Sequence, residues 1–313
     1  MSAEVGLQSA ILARQDAERA HRTRLILAWL AALAIVLVIA GYGYDYYTLG
    51  AADRPFSPKH ESLRPSGTIG IRLGMFGVFL FFLIYLYPLR KKWNWLARQG
   101  STRHWLDFHI VLGTFAPIVI AFHAAFKFGN VAGLAFWSML AVTLSGFVGR
   151  YIYAQIPKQL NSAELSAAEA KSLEDSLREE LAKQSAVGVD FGSIFALPSP
   201  QEVKSLPAAV VLARMIAIDL SRPFRISRLR LRTAGFGSWL AACFGLFRTS
   251  DEAMERTIAV ARKQASLSKR ILFLSRTQQV FRLWHLVHRP FSYAFVVFAL
   301  IHIGVALYMG YRL

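Results

Sequence analysis

Two pairs of histidines with the same spacing are the residues of this chain best suited to bind a metal. Thirteen residues separate His109 from His123, and thirteen separate His288 from His302. On an α-helix a step of 14 residues falls about 40° short of four full turns and rises about 21 Å. Both imidazoles of a pair therefore project from nearly the same face of a helix, at two well-separated levels.

The helices that must position these histidines are long and apolar. The chain has 313 residues, of which 55% are hydrophobic and 18% are charged, whereas soluble proteins carry about 25% charged residues. Apolar segments of about 20 residues, enough to cross a bilayer, cover 25–44, 69–89, 105–126, 131–156 and 291–311. The sequence predicts an all-α integral membrane protein, a bundle of about five transmembrane helices with a helical cytoplasmic insertion before the last span.

Basic residues indicate which ends of these spans face the cytoplasm. The net charge is +17, and most Lys and Arg residues fall before the first span, in the 90–104 loop and after the fourth span, as is typical of cytoplasmic segments. We expect a bacterial inner-membrane protein with a cytoplasmic N-terminus and an extracytoplasmic C-terminus. Because the basic residues follow the span ends, membrane lipid is an expected partner and nucleic acid is not. The predicted regions are 1–24 (cytoplasmic N-terminus), 25–156 (four-span membrane region), 157–289 (basic helical cytoplasmic or interfacial segment) and 290–313 (fifth span).

The 157–289 segment has its own pattern of helices. We expect them at 162–184, 206–220 and 251–282. The apolar stretch 234–247 has too few residues to cross a membrane and is expected to lie in the interface or to pack on the bundle.

The paired histidines fit the axial ligation of haem iron. Placing an imidazole in lipid costs free energy unless the imidazole has a partner. Two spans with equally spaced histidine pairs can bring two histidines together at each of two levels, one above the other. The single cysteine, Cys243, excludes a C-x-x-C-H haem attachment site and a cysteine-ligated cluster within the chain. A metal-ion path, a proton relay or simple structural histidines are the alternatives.

The pairing of the four histidines depends on the topology. If 234–247 does not cross the membrane, His109 pairs with His288 and His123 with His302. If it does cross, His109 pairs with His302. His285 lies one turn before His288 and competes with it, but breaks the 14-residue register.

The segments HWLDFHIVLGTFAPIVIAFHAAF and LVHRPFSYAFVVFALIHIGVALYMGY resemble those of transmembrane dihaem b-type cytochromes. The similarity is greatest to the ferric-reductase-like membrane domain and more distant to the cytochrome b subunit of quinol–cytochrome c reductases. The resemblance implies two haem b groups, with His109, His123, His288 and His302 as axial ligands of iron. A quinone is a further candidate cofactor.

The resemblance also implies a function, namely transmembrane electron transfer as the cytochrome subunit of a quinone-linked or reductase-type oxidoreductase. Redox partner proteins would supply or accept the electrons. No dinucleotide-binding pattern follows the last span, so we expect the electron donor to lie outside this sequence. Two other functions remain open: a membrane anchor that recruits a redox partner, and a transporter with a histidine relay for metal ions or protons.

Other residues are candidates for supporting roles. Gly113 would let a porphyrin lie close to the third span, or would serve helix packing alone. Arg103 and Arg289 would bind haem propionates, or would anchor the spans at the headgroups. Asp107 would take a proton from a quinol or pair with Arg103, and His21 is expected to be exposed to solvent.

Overall fold

The structure is a computed structural model that describes residues 2–129, 131–155, 197–233 and 252–310, together with residues 172, 175, 176 and 179. All regular secondary structure in these residues is helical. Among the described residues, five helices are long and apolar enough to cross a membrane. The predicted all-α membrane fold is therefore confirmed.

The helices that contain the second, third and fourth predicted spans begin and end close to the predicted positions, and the first helix is much longer than its apolar core. The helix predicted at 206–220 continues to Thr233. The helix predicted at 251–282 ends at Leu272, and its last part belongs instead to the long helix of the fifth span. The bounds of the helices are α1 Ser2–Tyr47, α2 His60–Leu63, α3 Thr68–Arg90, α4 Asn94–Ala97, α5 Thr102–His123, α6 Val131–Gln155, α7 Pro200–Ser205, α8 Ala208–Thr233, α9 Glu252–Leu272 and α10 Leu274–Tyr308. A short 3-10 turn covers Arg54–Phe56.

The chain divides into two compact units. One consists of residues 1–146 and 288–313 and is called the histidine unit below, because it contains all four paired histidines. The other consists of residues 147–287 and is called the insertion unit. The stretch 234–247 and Cys243 lie outside the described residues, and so does the helix predicted at 162–184 except for residues 172, 175, 176 and 179.

In the histidine unit, α5 packs closely on α3 because α3 presents glycines to it. Gly74 and Gly77 face α5, and small residues in such positions let membrane helices approach each other. A Cβ atom at Gly77 would lie 2.3 Å from Cδ1 of Ile120, so a side chain here would force the Ile120 side chain to move. The core between these helices and α1 consists of Ala32, Leu73, Leu80, Phe115, Ala116, Val119 and Phe122.

The part of α10 within the histidine unit is held by α3 and α6. The Tyr85 hydroxyl on α3 lies 2.9 Å from Oγ of Ser292. The ring of Phe295 lies 4.7 Å from that of Phe81 on α3 and belongs to a buried cluster with Phe136 and Met139 of α6. These contacts bring His288 and His302 into the same bundle as His109 and His123.

A buried arginine forms hydrogen bonds at each end of α5. At its N-terminal end, Arg90 donates to Oγ1 of Thr102 and to the carbonyl oxygens of Ala97 and Gly100, at 2.7, 2.8 and 2.7 Å. At its C-terminal end, Arg54 donates to the carbonyl oxygens of Ala125, Tyr47 and Leu49. Neutral acceptors thus hold two guanidinium groups, and both loops are fixed against α5.

The turn held by Arg54 has a costly backbone conformation. Ala125 and Phe126 have φ angles of 47° and 58°, in the left-handed region that costs a non-glycine residue roughly 1 kcal/mol or more. The turn follows His123 directly, so the bonds from Arg54 help to fix the end of the helix that carries this histidine.

In the insertion unit, polar side chains meet around Asp219 of α8. Its carboxylate accepts hydrogen bonds from the Tyr151 hydroxyl at 2.8 Å and from Gln155 at 3.5 Å. It also accepts one from the Lys269 ammonium and pairs with Arg222. Burial lowers the pKa of Lys269 below the ordinary lysine value, and the Asp219 carboxylate offsets part of that effect.

Candidate functional site

Both histidines of α5 are oriented by backbone carbonyls of α3. Nδ1 of His109 lies 3.0 Å from the Ile84 oxygen, and Nδ1 of His123 lies 2.7 Å from the Gly70 oxygen. A carbonyl oxygen can only accept a hydrogen bond, so Nδ1 carries the proton in both rings and Nε2 carries the lone pair. This is the arrangement usual for metal-binding histidines, whose second nitrogen donates to a carbonyl or carboxylate.

The two acceptors match the spacing of the two histidines. Ile84 and Gly70 lie 14 residues apart on α3, as His123 and His109 do on α5. A short connection makes the two helices antiparallel neighbours, so each imidazole meets α3 at its own level. The equal spacing therefore places two like sites along one helix pair, about 21 Å apart.

Pro88 explains why the Ile84 carbonyl can accept a bond from His109. In a helix this carbonyl would accept from the amide four residues later, and that residue is Pro88, which has no N–H. His109 thus supplies the donor that the helix lacks.

We predict that Pro88→Ala changes the His109 site without abolishing it. The new amide would compete with His109 for the Ile84 oxygen, and the ring would lose part of its orientation. We expect bound cofactor at this site to be retained, with a shift of its reduction potential, which redox titration measures. An unchanged potential would contradict the role given to Pro88.

Gly74 makes room for His123. A Cβ atom there would lie 2.8 Å from Cε1 and 2.9 Å from Nδ1 of His123. Because the bond to the Gly70 oxygen also fixes the ring, the ring has little freedom to move away.

We predict that Gly74→Ala displaces His123 and weakens ligand binding at its site. Gly41 of α1 is the matched control, since a Cβ atom there has no neighbour within 4 Å. Cofactor content after purification distinguishes the variants: Gly74→Ala loses cofactor from one of two sites, and Gly41→Ala loses none. Equal content in both variants would contradict the steric argument.

His288 is oriented by a side chain of α6. Its Nδ1 lies 2.7 Å from Oγ of Ser145, and the same Oγ donates to the Val142 oxygen at 2.8 Å. A serine hydroxyl that donates to Val142 can accept from Nδ1 of His288, and this arrangement leaves the lone pair on Nε2. His285, the competing ligand, bonds instead to the Phe281 oxygen of its own helix at 3.0 Å.

His302 lies beside His123. Their ring centroids are 6.2 Å apart, with an interplanar angle of 71°. This is the pairing expected if 234–247 does not cross the membrane. In the part of the chain that the structure describes, His302 forms no hydrogen bond, although it lies in an apolar span.

The distance between His123 and His302 fits two axial ligands of one metal. Metal–imidazole bonds are about 2 Å long, and each nitrogen lies about 1 Å from its ring centre, which together separate two axial rings by roughly 6 Å. A direct hydrogen bond between the imidazoles would bring the rings closer. The ring separation is compatible with two imidazoles bound to one metal, and haem as the group held there stays a prediction.

Two glycines leave open surface near the paired histidines. A Cβ atom at Gly113 of α5 or at Gly304 of α10 would have no neighbour within 4 Å. The Gly113 oxygen accepts a bond from Oγ1 of Thr143 at 3.0 Å, which links α5 to α6 beside this open surface. The role of Gly113 beside a porphyrin stays a prediction.

The two predicted arginines lie near the ends of their spans. Arg103 on α5 is 3.5 Å from Oε2 of Glu18 on α1, in an exposed ion pair. Arg289 is exposed on α10, next to His288. Propionate binding by either residue stays a prediction.

The structure corrects two expectations for the N-terminal end of α5. His21 is buried, not exposed to solvent, and its Nε2 lies 3.1 Å from Oδ2 of Asp107, with side chains 9% and 10% exposed. Arg103 pairs with Glu18, so the carboxylate of Asp107 pairs with His21 instead. The ring of His104 stacks on His21 at 3.6 Å. This cluster forms because α1 packs on α5. No local pattern in the sequence predicts it.

Within the described residues, no group of three or more His, Cys, Asp or Glu side chains could hold a metal ion. The sites predicted from the sequence are pairs of histidines. No protein-family model, curated protein or solved structure matches the chain.

Proposed function

We propose that this chain is a dihaem b-type membrane cytochrome that carries electrons across the bilayer. The observation that carries this proposal is the orientation of the histidines, since His109, His123 and His288 each use Nδ1 for a hydrogen bond to a neighbouring helix. The His302 ring lies beside that of His123, with centroids 6.2 Å apart, a separation compatible with two imidazoles on one metal. On this proposal, His109 with His288 and His123 with His302 hold the two haem irons.

The same geometry argues against a proton relay. A relaying imidazole takes up a proton at one nitrogen and releases one from the other. In His109 and His123, Nδ1 faces a backbone carbonyl, which has no proton to give. These two rings are built to keep one tautomer and to offer Nε2 as a ligand.

Transport of bare metal ions is also disfavoured. Transition-metal sites built from protein side chains usually contain three or four ligands, and the described residues contain no cluster of that size. Two imidazoles are enough to hold a metal only when another group provides its remaining ligands, as the porphyrin does for haem iron.

The protein's own contribution is orientation and burial. Carbonyl oxygens bonded to Nδ1 hold the rings and raise the basicity of Nε2, while the apolar helices keep water away. Haem iron with two axial imidazoles supplies one-electron transfer and has no open position for a substrate. Two sites about 21 Å apart along α5 lie toward opposite sides of a hydrocarbon core of about 30 Å.

The same proposal includes the redox partners of the chain and its orientation in the membrane. The cytochrome would serve as the electron-transfer subunit of a quinone-linked or reductase-type oxidoreductase in a bacterial inner membrane. A redox partner protein or a quinone would exchange electrons with it. The N-terminus would be cytoplasmic and the C-terminus extracytoplasmic.

Electron transfer across sealed liposomes tests the function. The chain is reconstituted into liposomes that contain ferricyanide, and an impermeant reductant is added outside. We expect ferricyanide to be reduced much faster than in protein-free liposomes, and His123→Ala to abolish the difference. A wild-type rate equal to the protein-free rate would contradict the proposal.

A further inference from the structure

Three charged residues of helix α8, Asp219, Arg222 and Arg230, face into the insertion unit, while a row of apolar residues lies on its exposed side. Asp219 and Arg222 face the Tyr151 and Lys269 side chains. Arg230 is buried and pairs with Glu255 at 2.7 Å. A water-exposed helix normally shows the opposite arrangement, whereas helices in contact with lipid turn their polar groups toward protein partners.

The exposed side of α8 is apolar over four turns. Leu220 and Phe224 are 66% and 65% exposed, and Val210 and Ile216 are also exposed. From 209 to 224, every exposed residue is apolar: Ala209, Val210, Ala213, Ile216, Ala217, Leu220, Pro223 and Phe224. We call this surface the outer face of α8.

The attachment of α8 to α6 places the outer face near the membrane surface. The candidate span in α6 ends at Gln155. Both Gln155 and Tyr151, one turn earlier, donate to Asp219 near the middle of α8. The middle of α8 therefore lies beside the end of the candidate span in α6.

Basic residues at one end of the outer face indicate that this face meets an anionic membrane surface. Arg225 and Arg228 are exposed directly after the apolar stretch. A helix with an apolar face and flanking arginines binds the headgroup region of anionic membranes, because the apolar side chains enter the acyl boundary and the arginines meet phosphates.

We propose that the outer face of α8 lies in the interfacial layer of the bilayer, with Arg225 and Arg228 against anionic phospholipid headgroups. This contact attaches the insertion unit to the membrane along a helix that does not cross it. It does not depend on the bound cofactor, so its test is independent of the proposed electron transfer.

Spin labels on the outer face test this proposal in the full chain. Cys243→Ser provides a cysteine-free background, and Leu220→Cys and Phe224→Cys place labels on exposed positions that need no repacking. Lys263→Cys on the exposed side of α9 is the control. Each protein is placed in nanodiscs of phosphatidylcholine with phosphatidylglycerol, and collision rates with oxygen and with a water-soluble nickel chelate are measured.

We expect the labels at 220 and 224 to collide several-fold more often with oxygen than with the nickel chelate, and the label at 263 to show the reverse. Preference for the nickel chelate at 220 and 224 would overturn the proposal, since the face would then meet water. Protection from both reagents would also overturn it, since another segment or a second copy would then cover the face.

Charge reversal tests the headgroup contact separately. Arg225→Glu and Arg228→Glu should each lower the oxygen-to-nickel ratio at position 220 by more than about fivefold, because that is the factor for loss of one basic residue at an anionic surface and the new carboxylate adds repulsion. This loss should occur only in nanodiscs that contain phosphatidylglycerol. An equal loss in pure phosphatidylcholine, or no loss in either, would overturn the role of the arginines.

Discussion

Replacement of His123 by alanine is expected to lower the haem content of the purified chain from two groups to one. The change removes the ring that Gly70 orients and that lies 6.2 Å from the ring of His302. One histidine alone then remains at that site. The His109 site uses other carbonyl and hydroxyl partners, so we expect it to keep its haem.

His60→Ala is the matched control for this variant. Nδ1 of His60 lies 3.2 Å from the Tyr46 hydroxyl, and both residues belong to the same part of the histidine unit. The control should keep two haems, as measured by the haem-to-protein ratio of the monodisperse chain. Two haems in His123→Ala, or one in His60→Ala, would contradict the ligand assignment.

The largest loss of stability is expected from Arg54→Ala. The Arg54 side chain is buried, and its guanidinium donates to three backbone carbonyls from two segments. Hydrogen bonds from charged donors contribute about 1.5–3 kcal/mol each, and buried acceptors left without a donor carry a further cost. We expect a loss of about 3 kcal/mol or more, and a fall of roughly 10 °C in the apparent Tm.

Thermal unfolding in detergent measures this loss of stability, and two further variants serve as comparisons. Arg54→Lys keeps the charge but cannot reach three carbonyls with one planar group, so we expect it to recover only part of the loss. Arg19→Ala removes an arginine from a highly exposed pair with Asp16, and such pairs contribute about 0–1 kcal/mol. A Tm for Arg54→Ala equal to that of Arg19→Ala would refute the role of the buried arginine.

Much of the membrane fold follows from the sequence because lipid imposes simple rules. Long apolar segments and basic flanks predict the number and positions of the spans, and the five candidate spans of the structure agree with them. The repeated 14-residue spacing singles out the four histidines, and the structure brings His123 and His302 together. Their role as haem ligands stays a prediction.

The contacts that orient the histidines were harder to predict. Two local signals were present: Pro88 four residues after Ile84, and the glycine spacing at Gly70 and Gly74. Each acquires its meaning only when α5 is known to pack on α3. Ser145, the partner of His288, carries no such signal, because a serine in a membrane helix is compatible with many contacts.

Pairs formed by distant segments could not be predicted from local pattern. His21 looked exposed because its neighbours are polar, yet it is buried against Asp107, 86 residues later. The predicted helix 206–220 continues to Thr233, and some of its charged residues turn inward because Tyr151 and Lys269 provide partners there. Tertiary contacts decide which face of such a helix is exposed.

The haem content of the purified wild-type chain tests the central claim most directly. The chain is produced in cells that make sufficient haem, and a pyridine haemochrome assay is compared with the protein concentration. The predicted result is two haem b groups per chain, with electron paramagnetic resonance signals of low-spin ferric iron, as two axial imidazoles require. A folded, monodisperse chain with no haem, or with high-spin haem that has an open axial position, would contradict it.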